Sequence, residues 1–441
     1  MKWIFGTLAL LLIGLQFKLD LLVYATYALL GVVLLSRYFT NRWLEHIFAR
    51  RTCHQSVVEA GATVAVEVGV QNQGPLAVPW LLLEESFGRV GMAEFPKRLE
   101  VAGERLKLVS LKAGETTSMR YHVTFLLRGY YQLGPLLLET GDVFGLQRRF
   151  RVQTNPHFVL VLPKVLSLEG YHLASRRPIG EIRISHRLFE DPTRLAGIRP
   201  YQRGDPLNRI HWRATARAGS LQSRMYEASR VAGAIFLLDF HRDSFPGAAG
   251  AIAMELAVTT VASLANALHL KGEQIGLTSN GVDAADRVRR RGWLAEFTLR
   301  RDVRSLAPAA PGTEPLRPVT IPTRKGADQL RHILEALGRL EMTNTLRLDQ
   351  LVEELSGQLR RDATVIPILG KITPAIASAL GELVRRGFTV NAVVVLAEGA
   401  MPPDWVQPPD WAALLMGRDV DFRVVTGEES IPGICAEALA R

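Results

Sequence analysis

The chain has 441 residues, 48% of them hydrophobic and 22% charged, with a formal net charge of +10. That size and balance are ordinary for a globular chain of two or three domains. The two cysteines, Cys53 and Cys435, exclude a disulfide framework or a cysteine-rich metal cluster and suit a reducing compartment. The basic excess points to acidic partners, an anionic membrane surface or nucleic acid.

Residues 1–36 hold two apolar runs, 3–17 and 19–35, with Gln16, Lys18 and Asp20 at their junction. Each run is short against the roughly 20 residues that a spanning helix needs. A cleaved signal peptide would lead into a soluble domain, whereas here a second apolar run follows at once. The pattern predicts a transmembrane helical hairpin; one long interfacial or kinked helix is the alternative. Arg37, Arg42, Arg50 and Arg51 come next, and the bias of such residues to the cytoplasmic side places residues 37–441 in the cytosol. Residues 37–54 read as an amphipathic juxtamembrane helix, with Trp43 at headgroup level and the arginines near anionic lipid.

Over residues 55–165 the period changes to two. Val64, Val66, Val68 and Val70 alternate with Ala65, Glu67 and Gly69, and residues 72–75 (Asn-Gln-Gly-Pro) make a turn. Further strands are expected over 80–85, 106–111, 118–125 and 132–139. Short strands at this spacing predict an immunoglobulin-like β-sandwich, read as a spacer.

Residues 166–232 form a signature segment. Between 180 and 230 it carries ten arginines and no lysine. Guanidinium groups pair bidentately with carboxylates or phosphates, so the stretch can lock onto its own domain through ion pairs or face an acidic partner. A solvated, arginine-rich loop is the plainer reading. Residues 204–206 (Gly-Asp-Pro) read as a tight turn, and Trp212 as a buried anchor with a polar tip.

In this segment Arg199, Tyr201, Gly204, Asp205, Arg209, Ile210, His211, Trp212, Thr215, Ala216 and Arg217 stand at the spacing R-x-Y-x-x-G-D-x-x-x-R-I-H-W-x-x-T-A-R. That pattern resembles the signature of the bacterial "domain of unknown function 58" family. The resemblance runs more loosely over nearly the whole chain, including residues 128–135 (RGYYQLGP) and 142–146 (DVFGL). It implies a protein of the bacterial inner membrane with a von Willebrand factor A-like domain, acting with a MoxR-type AAA+ ATPase. Arg199, Tyr201, Gly204, Asp205, Arg209, His211, Trp212 and Arg217 are then the candidate partner-binding residues.

Residues 233–441 alternate strand and helix. Strands are expected over 233–240, 274–279, 363–369, 389–396 and 421–425, with a short one near Val319. Helices are expected over 249–270, 327–340, 345–359, 374–386 and on to Leu439, and a loop over 401–409. Near-continuous apolar strands between helices predict a doubly wound, mostly parallel sheet. The order resembles a von Willebrand factor A domain. The whole chain is thus expected to be multidomain: hairpin, β-sandwich, then α/β.

A von Willebrand factor A-like fold implies a divalent metal such as Mg²⁺ at a D-x-S-x-S loop after its first strand. Here the loop reads Asp239-Phe-His241-Arg242-Asp243, and residues 365–371 (VIPILGK) offer no carboxylate. A hard cation needs oxygen ligands, so the expectation is a degenerate site and no cofactor, with Asp239 and Asp243 as the ligands if a metal binds. The structural alternative is that Asp239 accepts hydrogen bonds from the start of the following helix or pairs with an arginine. No phosphate-binding glycine loop, dinucleotide fingerprint or nucleophile elbow is present. Three functions stay open: a membrane-anchored, non-enzymatic adaptor, expected first; nucleic-acid or polyanion binding through the arginines; and a cell-envelope enzyme. The scarcity of aromatics among the arginines speaks against nucleic acid.

Overall fold

The computed structural model describes residues 2–87, 96–142, 145, 147–168, 189–200, 211–229, 233–292, 317–355, 357, 359, 363–396 and 410–432. The chain divides into two units, the first made chiefly of residues 1–164 and the second of residues 165–282, 314–337 and 341–441.

The first unit begins with α1 (Lys2–Gln16) and α2 (Asp20–Glu45), which pack together across a turn at Lys18. Large apolar side chains stand open along both helices, among them Leu12, Leu21, Tyr24 and Leu35. The hydroxyls of Thr26 and Thr40 donate to the Leu22 and Ser36 carbonyls at 2.6 and 2.7 Å, so neither needs an outside partner.

The helix expected over 37–54 is not separate. Helix α2 continues through Tyr38 and Arg42, and the chain then becomes strand β1 (Ile47–Thr52). Ile47, Ala49 and Arg51 point inward while Phe48, Arg50 and Thr52 point out, a period of two that six residues cannot distinguish from a helical face. Trp43, expected at headgroup level, packs instead against the apolar core of this unit.

Nine more strands follow: β2 (Val57–Glu59), β3 (Thr63–Asn72), β4 (Val78–Phe87), β5 (Leu99–Gly103), β6 (Leu106–Leu111), β7 (Thr116–Phe125), β8 (Gly129–Gly141), β9 (Arg148–Val152) and β10 (His157–Leu162). They form a sheet of order β1-β3-β7-β5 and a second of order β2-β10-β8-β4-β6, with β9 also on β8. The valines of β3 alternate inward as their spacing requires, and they share one cluster with Leu81 and Leu83 of β4 and Leu133, Leu136 and Leu138 of β8.

One ion pair lies inside this unit. Arg51, 5% exposed, donates from Nε to Glu85 Oε1 at 2.7 Å, from Nη1 to the Asn155 carbonyl at 2.6 Å and from Nη2 to Thr154 Oγ1 at 3.0 Å. Tyr121 donates its hydroxyl to the same Glu85 oxygen at 3.3 Å. Arg51 thus serves the interior and not the lipid. Burial raises the Glu85 carboxyl above the usual range, outweighing the opposing pull of Arg51. Gly134, at φ 83°, lies against the guanidinium and leaves no room for a side chain.

The later elements are β11 (Phe189–Pro200), α3 (Trp212–Ala218), β12 (Gln222–Ser229), β13 (Gly233–Leu238), α4 (Gly247–Leu270), β14 (Gln274–Ser279), β15 (Val282–Asp283), α5 (Ala284–Arg291), β16 (Val319–Arg324), α6 (Ala327–Arg339), β17 (Leu340–Glu341), α7 (Leu348–Leu355), β18 (Ala363–Leu369), α8 (Pro374–Arg385), β19 (Thr389–Val395), α9 (Asp410–Met416) and β20 (Asp421–Val425). The helix expected over 345–359 is the shorter α7. The loop over 401–409 and the helix running to Leu439 lie outside the described residues.

The main sheet of the second unit has order β16-β14-β13-β18-β19-β20. Its strands are parallel except for β16, which runs antiparallel to β14. Every residue of β13 and β18 is buried, as continuous apolar runs demand. Strand order reverses between β13 and β18, and in open α/β sheets the carboxyl ends of strands at such a point form the usual ligand crevice. The loop after β13 carries Asp239.

Candidate functional site

Two places in the second unit hold the residues singled out by sequence. The first is the signature segment. Strands β11 and β12 pair antiparallel, with Arg199 opposite Ser223 and Pro200 opposite Gln222. Helix α3 precedes β12. His211 caps it, its Nδ1 accepting from the Ala214 amide at 3.1 Å, and Gly219 at φ 67° ends it. The His211 amide donates to the Gln222 carbonyl at 2.8 Å, and the Gln222 amide donates to Thr215 Oγ1 at 3.0 Å. His211 and Thr215 therefore fasten α3 to β12.

What these residues present is an exposed helix. No residue of α3 is buried, and Trp212 is 67% exposed. The buried anchor expected at Trp212 is corrected on this point: on this seven-residue helix, tied to β12 through His211 and Thr215, the indole stands open to solvent. Arg213 and Arg217 are exposed beside it, and Ile198 and Leu221 are exposed on the flanking segments. Arg199 donates from Nη1 to the Pro200 carbonyl at 3.2 Å. Tyr201, Gly204, Asp205 and Arg209 lie outside the described residues.

The second place is the carboxyl edge of β13. Asp239 is fully buried, and its two oxygens take three protein donors. Oδ1 accepts from the His241 amide at 3.1 Å and from Asn280 Nδ2 at 3.0 Å, and Oδ2 accepts from Ser244 Oγ at 2.5 Å. Asn280, just past the end of β14, also ties the Phe240 amide at 2.6 Å and the Leu346 carbonyl at 3.0 Å. Thr343 completes the floor, exchanging backbone hydrogen bonds with Phe240 and Arg242 at 3.1 and 2.9 Å. Burial raises the Asp239 carboxyl above its ordinary value, more than these donors lower it. Gly370, after β18, packs so tightly on Ser244 and Phe245 that a Cβ would come within 2.5 Å of the Ser244 carbonyl. At the rim, Arg242, Asp243 and Lys371 are exposed.

The donor set does not fit a divalent cation. Two of the three groups on Asp239, the His241 amide and Asn280 Nδ2, are N–H donors with no lone pair for a metal, which leaves Ser244 Oγ as the one partner able to ligate a cation beside it. Asp243, the other expected ligand, is 89% exposed, and its amide donates to His241 Nδ1 at 3.2 Å. Among the described residues no group of three or more His, Cys, Asp or Glu side chains could hold a metal ion. The arrangement is a structural knot holding three loops together at the strand reversal. Sequence reading missed Asn280, Ser244 and Thr343; a polar residue following a buried strand, as in residues 279–281 (Ser-Asn-Gly), was the available signal.

Residues 197–319 match the model of the family described as "Protein of unknown function DUF58". Among curated proteins, the chain is similar to "Uncharacterized protein YeaD" of Bacillus subtilis (strain 168), 25% identical over 259 residues. That match spans 58% of this chain and 62% of the relative, under two thirds of its length. Among solved structures, the CARDB domain of the PF1109 protein of Pyrococcus furiosus aligns with a TM-score of 0.18 and 17% identity, covering 26% of this chain and 91% of that one. The PapD-like domain of human CEP192 aligns with a TM-score of 0.17 and 11% identity, covering 26% and 83%. Structural likeness this slight carries no argument about fold or activity. Helix α3, β12 and the Asp239 loop all fall inside the matched stretch, and over that stretch the chain is similar to the DUF58 family of proteins of unknown function.

Proposed function

We propose that this protein is a membrane-anchored, non-enzymatic adaptor that binds a protein partner through α3 and the neighbouring signature residues. The observation that carries the reading is the exposure of Trp212, 67%, on a helix with no buried residue, inside the stretch that matches the family model. Trp and Arg are the residue types that concentrate binding energy at protein interfaces. His211 is occupied in capping and Asp239 in accepting three hydrogen bonds, which supports a binding role over a catalytic one. The partner class that the family resemblance implies is a MoxR-type AAA+ ATPase.

The anchor reading rests on a contrast between two helices. Helices α2 and α4 are both long and apolar enough to cross a membrane, with equal mean hydropathy of 1.6. The most apolar window of α4 is 72% buried within the protein and that of α2 only 17%, so α4 has found its apolar surroundings in the fold while α2 requires them from lipid. On this reading α1 and α2 form the hairpin and the remaining chain faces the cytosol. The two sheets of the first unit, sharing one core, are read as an immunoglobulin-like sandwich with a spacer role. The strand order of the second unit, with its antiparallel edge, is read as von Willebrand factor A-like without the metal.

A photo-crosslinking residue in place of the exposed Arg213, in the full-length chain in living cells, tests the surface. A discrete crosslinked AAA+ ATPase is the expected product. Crosslinks to nucleic acid alone would favour the polyanion alternative.

A further inference from the structure

Strand β6, the sequence LKLVSL, is the end strand of the second sheet of the first unit, and among the described strands it pairs with β4 alone. The Glu85 amide donates to the Arg105 carbonyl at 2.9 Å, and the register continues with Leu83 opposite Lys107 and Leu81 opposite Val109. In an antiparallel ladder the bonded residues alternate with unbonded ones, so Leu106, Leu108 and Ser110 turn their amides and carbonyls toward the free edge. No strand, loop or side chain among the described residues takes those groups.

The side chains leave this edge unprotected. Leu106 and Leu108 are 46% and 66% exposed, and Leu82 of β4, opposite Leu108, is half-buried, so leucines run across the outer face to the edge. The strand's one charge is drawn elsewhere: Lys107 Nζ donates to the Ser118 carbonyl of β7 at 2.8 Å and pairs with Glu104 at 3.4 Å. Free edges are normally blunted by charge, proline or shortness. The other end strands of these two sheets follow that rule. Strand β1 exposes Arg50, β5 exposes Glu100, and β2 has three residues with Glu59 exposed. Strand β6 offers six residues with no such guard.

We propose that β6 pairs antiparallel with β6 of a second copy of this chain, about a twofold axis at Leu108. That axis sets Leu108 of one copy opposite Leu108 of the other, and Leu106 opposite Ser110. Every outward amide then meets an outward carbonyl, and a shift of register leaves some unmatched. Lys107 falls opposite Val109, so no like charges face each other. The leucines of the outer face run on from one copy into the next. The strand is its own complement in hydrogen bonding, charge and apolar contact, which favours a second copy over a different protein. One strand pair is small beside a standard interface of about 1,600 Å², so the dimer is expected to depend on concentration. It requires neither the anchor nor the ATPase of the reading above.

The test is thiol crosslinking of the full-length protein, purified and in cells, with a short bifunctional reagent in a Cys53→Ser/Cys435→Ser background. Leu108→Cys should give a crosslinked dimer. Leu106→Cys alone should not, because the two copies of that position stand four residues apart along the pair, about 14 Å. Mixing Leu106→Cys chains with Ser110→Cys chains should restore the product. Adding Leu108→Lys to both chains of that mixture sets two ammonium groups face to face and should cut the dimer about tenfold. Position 108 is exposed, so the thermal unfolding of the Leu108→Lys chain should match that of the natural chain. Equal crosslinking at positions 106 and 108, or a dimer indifferent to Leu108→Lys, would overturn the pairing. So would the absence of a dimer from every variant. A product in cells that joins Leu108→Cys to a different protein, in place of its own copy, would overturn the choice of occupant.

Discussion

Asp239 is the residue whose setting decides how the strand-reversal crevice is understood. Its carboxylate is buried and held by three donors, and burial raises its pKa. A raised folded-state pKa means that its contribution to stability is fullest below the unfolded value and is lost as pH rises through the folded one. Asp239→Asn cannot ionise, so its melting temperature should gain on that of the natural chain as pH is raised from about 4 to about 8. A difference that is flat or runs the other way would mean that the ionised form is the one stabilised. Asp239→Ala orphans the His241 amide, Asn280 and Ser244, and should cost roughly 2–4 kcal/mol in chemical denaturation. In the other unit, Arg51→Met leaves Glu85 buried without its ion-pair partner and should cost about 3–5 kcal/mol, most of it recovered in the double variant with Glu85→Leu.

At the scale of elements, α3 behaves oppositely to a core helix. Trp212→Ala and Arg217→Glu should change unfolding free energy by no more than about 0.5 kcal/mol, since neither side chain is buried. His211→Ala removes a cap and should cost about 1 kcal/mol. Much of this architecture was legible in the residues: the valines of β3 alternate in the sequence as they do in the sheet, and β13, β18 and β19 read as buried runs. What was not legible shares one cause. Strand β1 and helix α3 are short, and over six or seven residues neither period separates cleanly, so Arg51 was read as facing lipid and Trp212 as facing a core. The knot around Asp239 was only half visible. Its aspartate lies on an expected loop, but Asn280 and Thr343 come from loops some 40 and 100 residues further along, which no local pattern links.

For the molecule as a whole, the contrast between α2 and α4 predicts behaviour in fractionation. The full-length chain should stay with membranes after alkaline carbonate washing, and a chain lacking residues 2–36 should be released; release of both would remove the anchor. A reporter at the C-terminus should be active in the cytosol and inactive outside it. The measurement that bears hardest on the adaptor reading is the affinity of the purified full-length protein for the MoxR-type AAA+ ATPase of the same cell, with and without ATP, against the Trp212→Ala/Arg217→Glu double variant. Loss of two exposed contacts worth about 1–2 kcal/mol each predicts a roughly 30- to 1000-fold weaker complex with unfolding unchanged. Equal binding by the natural chain and the double variant, or none by either, would contradict it.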